Sequence, residues 1–212
     1  MEPKVFILLL IAVAIGSYLI GGINCSILIS KIFKKDVRNV GSGNAGATNM
    51  VRAFGPAVGV ITMLGDFAKT LIALLATRFI FADQEYWQAM VAFSGFFCSL
   101  GHAFPLFFGF RGGKAVTVVG MVFLVVDWRV FAIGISVFIL TVVLSRFVSL
   151  GSMLAGISGP ITMCFVPLAN DAYRWFIVAS LAALAIMVIL LHSQNLKRLI
   201  KGEERKFTFK KE

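Results

Sequence analysis

An all-α polytopic membrane protein is the fold class that this sequence predicts, on three observations. Of its 212 residues, 59% are hydrophobic and 14% charged, and a mean hydropathy of +0.92 lies far above that of soluble globular domains. Val5 to Ser30, 86–110 and 147–170 carry no formal charge, and each run is long enough to cross a hydrocarbon core of about 30 Å. Lysine and arginine gather instead in short segments between such runs, as they do in loops beside a membrane.

Breaks at glycine, proline and charge divide the chain into seven predicted transmembrane helices, at 4–33, 56–81, 87–108, 114–127, 130–146, 150–168 and 174–196. The first reads as a retained helix, because Lys31, Lys34 and Lys35 follow it without the small-residue site at which a signal peptide is cut. The second contains Asp66 and Lys69, three residues apart, which must pair or face a polar cavity because isolated charge within a membrane is costly. The fourth is the weakest, since only 115–126 is strictly uncharged, and about 12 residues rising about 1.5 Å each reach roughly 18 Å. If the fourth and fifth formed one re-entrant hairpin, five spans would remain and the termini would keep their sides.

Orientation follows from charge. The segments 31–52, 111–114, 145–152 and 197–212 hold fifteen of the twenty lysines and arginines, while the opposite loops hold Lys4, Arg78, Arg129 and Arg174. The positive-inside rule therefore puts the amino terminus outside and the carboxyl terminus in the cytoplasm. One domain is expected over 1–212, with no internal repeat. The net charge of +10 sits beside hydrophobic runs, which suits anionic lipid and excludes a nucleic-acid partner. Cys25, Cys98 and Cys164 all lie within apolar runs, in no disulfide or metal-binding spacing.

Three polar segments fall on the cytoplasmic side. In 38–52, Gly41, Gly43 and Gly46 permit positive φ, so successive N–H groups can converge on an anion while Ser42, Asn44, Thr48 and Asn49 add donors and Arg52 adds a planar fork for phosphate. In 101–117, Gly112 and Gly113 lead to Lys114 at the expected start of a helix, whose free N–H groups attract anions. This is not a nucleotide-binding loop, because Phe108 and Ala115 stand where that motif needs Gly and Ser or Thr. The third segment carries His192 and Asn195 one helical turn apart, followed by Glu204. Arg146, Ser149 and Ser152 form the remaining cytoplasmic turn, either part of an anion site or a helix cap.

Together, Gly-Ser-Gly-Asn-Ala-Gly-Ala-Thr-Asn…Arg at 41–52, Gly-His…Pro-Leu-Phe-Phe-Gly-Phe-Arg-Gly-Gly-Lys at 101–114 and His-x-x-Asn-x-x-Arg-Leu-x-x-Gly-x-Glu at 192–204 resemble the three motifs of the bacterial acyl-phosphate:glycerol-3-phosphate acyltransferases. The resemblance covers essentially the whole chain. It implies seven transmembrane helices with the amino terminus outside, in the bacterial plasma (inner) membrane, with the active site on the cytoplasmic face. The implied reaction moves a fatty acyl group from acyl phosphate to the C1 hydroxyl of glycerol 3-phosphate, giving lysophosphatidic acid and inorganic phosphate, the first step of phospholipid synthesis. The partners are those two substrates and membrane lipid, with no metal or other cofactor. By position, Ser42, Lys114, His192 and Asn195 are implied to be catalytic. Gly41, Gly43, Asn44, Thr48, Asn49, Arg52, Gly112, Gly113, Arg146, Ser149, Ser152 and Glu204 are implied to bind substrate. The chain departs from the family pattern at Ala115 and Thr70, where glycine is usual, and at Ser193, where arginine is.

Acyl phosphate is a mixed anhydride with a good leaving group, so proximity and electrostatic stabilisation can supply most of the rate. An acyl-CoA-dependent acyltransferase with His and Asp four residues apart is disfavoured, since Phe107 and Lys197 stand at those places after His102 and His192. A phosphate-ester transporter is disfavoured by the lack of a repeated half.

Overall fold

The protein is described by a computed structural model covering residues 2–168 and 170–207, so Lys210 and Lys211 of the basic tail lie outside the described residues. Among these residues the regular structure is entirely helical. Five stretches, Pro3–Ile32, Pro56–Ile80, Trp87–Phe108, Trp128–Ser145 and Asp171–Leu191, are long and apolar enough to cross a membrane. Two further apolar helices, Val116–Val126 and Val148–Met163, are shorter. This is an all-α integral membrane protein.

The predicted first span is two helices, α1 (Pro3–Gly21) and α2 (Cys25–Ile32). Asn24 makes the second start, because its Oδ1 accepts from the Ile27 N–H at 3.1 Å as an N-cap. A broken helix frees backbone carbonyls, and within a membrane these need partners. Lys69, on α4 (Pro56–Ile80), supplies them: its Nζ donates to Gly21 O at 2.9 Å and Ile23 O at 2.6 Å, and contacts His102 Nδ1 at 3.0 Å and Asp66 Oδ1 at 2.9 Å. The expected partner of Asp66 is therefore correct. Sequence spacing did not reveal that His102 and the helix break complete the cluster.

Between α2 and α4 lies α3 (Ala47–Phe54), separated from α4 by Gly55 at φ +93°. Next come α5 (Trp87–Ala103), α6 (Val116–Val126) and α7 (Trp128–Ser145). Helices α6 and α7, the predicted fourth and fifth segments, are divided by Asp127, which is extended at φ −163° and whose Oδ1 accepts from Arg129 N at 2.8 Å. The predicted 150–168 is the shorter α8 (Val148–Met163), and 174–196 divides at His192 into α9 (Arg174–Leu191) and α10 (Ser193–Ile200).

Helix α5 is central, packed against α1, α4, α6 and α9. Its contact with α1 is backbone to backbone: a Cβ on Gly101 would lie 2.0 Å from Tyr18 O, and one on Gly21 would lie 2.1 Å from Cys98 O. That approach also brings His102 within reach of Lys69. The opposite surface of α7 is apolar and open, with Leu144 76% exposed. In a lipid solvent such a face is stable.

Gly101→Ala should therefore force α1 from α5 and lower stability by about 1–3 kcal/mol or more, as overpacking does. Gly16→Ala, where a Cβ meets nothing within 4 Å, should be tolerated. Thermal unfolding in detergent checks the pair, and equal melting temperatures would contradict this packing.

Candidate active site

A cavity of about 840 Å³ opens among the 41–49 loop, α3, α4 and α6 to α10. Its mouth is polar and its interior is walled by Met63, Phe67, Val119, Phe123, Phe131 and Phe138.

The 41–49 loop is folded around one side chain. Asn49 donates from Nδ2 to Val37 O at 3.0 Å and Val40 O at 2.9 Å, while its Oδ1 accepts from Ser42 N at 2.8 Å. Gly41, at φ +61°, leaves room for that oxygen, which a Cβ would meet at 2.2 Å. The expected nest of free N–H groups is thereby corrected. Ser42 N is taken by Asn49, Gly43 N by Val40 O at 3.0 Å and Gly46 N by Asn44 O at 3.0 Å. Asn49 spends its amide on the loop, so its role is to shape the site. Gly41, Ser42, Gly43, Asn44, Thr48 and Arg52 do line the cavity.

A clamp occupies the opposite wall. Lys114 Nζ donates to Asn195 Oδ1, and Asn195 Nδ2 donates to Glu204 Oε1 at 2.6 Å. Glu204 also accepts from Ser149 Oγ at 2.7 Å and Arg198 Nε at 2.7 Å. Burial raises the Glu204 pKa, but these three hydrogen bonds outweigh it and hold the carboxyl below its usual range. Glu204 and Ser149, expected to bind substrate, are thus engaged with each other and hold Asn195 and Arg198 in place. Ser152 lines the wall one turn beyond and donates to Val148 O at 2.9 Å.

Lys114 titrates low. Burial, followed by the charges of Arg198 and Arg52 that outweigh the pull of Glu204, brings its pKa from 10.5 to about 8. Arg52 is shifted downward by burial and by Arg205. His192 sits at the joint of α9 and α10, with Nδ1 2.8 Å from Val188 O. A carbonyl only accepts, so Nδ1 carries the proton and the neutral ring keeps a lone pair on Nε2. Burial, then Lys114, lowers its pKa to about 4.

Three predicted residues do not reach the cavity. Gly112 and Gly113 have their N–H groups on Ala103 O at 3.0 Å and His102 O at 3.1 Å, so they offer no anion-binding donors. They are small for packing reasons, since a Cβ on Gly113 would lie 2.2 Å from His102 Nε2. Arg146 is the left-handed cap of α7, at φ +63°, and is exposed outside the cavity wall. Helix α6 itself begins only at Val116, after Ala115 at φ +57°. Here the missing family glycine has a conformational cost, because an alanine holds a left-handed backbone. Asp66, His102, Arg198 and Arg205 line the cavity without having been assigned to the site from sequence. A histidine opening the second motif was the available signal for His102.

A family model described as glycerol-3-phosphate acyltransferase matches residues 11–202. A glycerol-3-phosphate acyltransferase of Listeria monocytogenes (strain HCC23) is 38% identical over 93% of this chain and 96% of its own. One of Geobacter sulfurreducens is 37% identical over 94% and 97%. The chain belongs to the glycerol-3-phosphate acyltransferase family. Crystal structures of PlsY, an integral membrane glycerol 3-phosphate acyltransferase, share this acyltransferase's fold. The glycerol 3-phosphate form superposes with TM-score 0.83 at 32% identity, over 94% of this chain and 96% of that one. The lysophosphatidic acid form gives 0.80 at 31%, over 94% and 95%.

A depressed lysine loses its proton as pH rises through its folded value, so acyltransferase kcat/KM should fall above pH about 8 if the Lys114 ammonium holds substrate. Lys114→Arg, which keeps the charge throughout, should remove that fall. The stability of the substrate-free protein should move the other way. Between about pH 8 and the unfolded value of 10.5 the unfolded chain binds more protons, so this group's contribution favours folding as pH rises. A wild-type kcat/KM that stays flat from about pH 7 to about pH 10 would contradict the assignment.

Proposed function

We propose that this acyltransferase takes its acyl group from acyl phosphate, transfers it to the C1 hydroxyl of glycerol 3-phosphate and releases inorganic phosphate. One observation carries the reading. At the mouth the cations Arg52, Lys114, Arg198 and Arg205 face one carboxylate, Glu204, while Asp66 deeper in is neutralised by Lys69 at 2.9 Å. Burial first, and then the neighbouring like charges, lower the pKa of both Lys114 and Arg52. Such an excess is relieved by bound anions, and both substrates carry phosphate. The apolar interior below takes the acyl chain.

The site lies at the cytoplasmic face of the bacterial inner membrane in this reading. Seven crossings, including the short α6 and α8, would keep the basic segments inside and the amino terminus outside. Arg52, Lys114 and Arg198 hold the two phosphates, and Ser42, Asn44 and Thr48 provide hydroxyl and amide contacts around them. The C1 hydroxyl attacks the acyl carbonyl, the bond to the phosphate oxygen breaks, and the hydroxyl proton passes to a donor phosphate oxygen. With a pKa near 4, His192 is a weak base. Its Nε2 lone pair instead accepts a hydrogen bond from a glycerol hydroxyl and positions it.

Two measurements check this. Given glycerol 3-phosphate, the purified protein should turn over palmitoyl phosphate and not palmitoyl-CoA, and comparable rates with both would overturn the donor assignment. His192→Gln should retain clearly more kcat than His192→Ala, since an amide oxygen can accept the same hydrogen bond. Deep and equal losses in both, in the range of about 10²–10⁴-fold that a general base contributes, would return His192 to the role of base.

A further inference from the structure

Glycines in α6, α7 and α8 fall into two kinds. Gly134, Gly151 and Gly159 are small because neighbouring helices require it: a Cβ would lie 3.2 Å from Phe123 Cδ2, 2.8 Å from Val142 Cγ2 and 2.1 Å from Phe123 Cζ respectively. Gly120 and Gly156 are different. A Cβ on Gly120 would have Phe131 Cε2 at 4.0 Å as its nearest neighbour, and one on Gly156 would make ordinary contacts at 3.8 Å with Ala185 and Val188. Each interior glycine weakens its helix relative to alanine, and in these two no helix contact demands the cost. Both line the cavity. Their missing side chains are open space inside it.

The position of that space follows from helix geometry. Gly120 is four residues and Phe123 seven residues into α6, about 6 Å and about 10 Å below its start. On α8 the lining runs from Ser149 in the clamp to Gly156, again about 10 Å. At that depth the ring of Phe123, 3% exposed, is wedged between Gly134 and Gly159 and closes the floor. Ile135 lines the cavity and is 39% exposed, and it shares its stripe of α7 with Ile139 and Val143, 53% and 67% exposed and outside the cavity lining. The space is therefore apolar, continuous with the cationic mouth, stopped below and open to the side.

We propose that Gly120 and Gly156 form a slot for the first methylenes of the acyl chain, with Phe123 turning the remainder past Ile135 into the bilayer. This rests on reading the cavity as the acyl-transfer site. The slot makes recognition stringent for bulk near the carbonyl and permissive for the far end of the chain, which lies in lipid. Its occupant is a linear hydrocarbon attached to an anionic head, since aliphatic and aromatic walls offer a second phosphate nothing.

The test is steady-state kinetics of Gly120→Leu and Gly156→Leu with palmitoyl phosphate and glycerol 3-phosphate. Gly120→Ala and Gly156→Ala serve as milder versions should either leucine fail to fold. Filling a hydrophobic pocket by even a methylene costs on the order of tenfold or more. The leucine variants should raise KM for palmitoyl phosphate by at least about tenfold, and the alanine variants by less in the same direction, with KM for glycerol 3-phosphate unchanged. An unchanged KM for palmitoyl phosphate, or a parallel rise for both substrates, would overturn the slot while wild-type turnover stayed intact. Failure of the wild type to use palmitoyl phosphate would instead overturn the reading beneath it.

Discussion

The fold turns on one buried ammonium. Lys69 satisfies two carbonyls released where the first membrane helix breaks, neutralises Asp66 and holds His102, all within 3.0 Å. Each of these groups alone would be costly in a membrane interior, and together they make a satisfied polar core. The break also touches the 41–49 loop, because Asn24 Nδ2 donates to Ala45 O at 3.4 Å. The same cluster reaches the second loop, because the His102 ring packs on Gly113 and its carbonyl accepts the Gly113 N–H at 3.1 Å. Lys114 follows directly. A structural core and the anchor of a cavity loop are thus one network.

At the mouth the logic reverses, since positive charge is left in excess instead of being cancelled. Glu204 does not quench the excess; it accepts from Ser149, Asn195 and Arg198 and fixes their directions. Asn195 then orients Lys114 through its oxygen. On the proposed reading this arrangement is preorganised for the phosphates of the substrates. If the donor is the acyl phosphate proposed above, its good leaving group accounts for a site built for holding more than for proton transfer.

Much of this was legible in the sequence, for identifiable reasons. Hydropathy and charge located every apolar helix because lipid imposes strong constraints on composition. The three motifs brought Ser42, Arg52, Lys114, His192 and Asn195 to one cavity. What escaped depended on contacts between distant segments. The break at Gly22–Asn24 is invisible in an uncharged run, because the lysine that makes it tolerable is 46 residues from Ile23. Gly112 and Gly113 looked like phosphate-binding glycines, but their freedom serves packing against His102. Glu204 looked like a ligand of substrate, and its pairing with Ser149 spans 55 residues. Spacing shows which residue types recur together without showing which of them face one another.

On the proposed reading the cationic mouth exists to hold substrate phosphate. Direct titration of glycerol 3-phosphate into the purified protein and into Lys114→Met tests it without any dependence on the donor. Loss of a charge-assisted hydrogen bond of about 1.5–3 kcal/mol predicts a dissociation constant roughly ten- to a hundredfold weaker in the variant. An unchanged dissociation constant, in a variant that melts at the wild-type temperature, would contradict it.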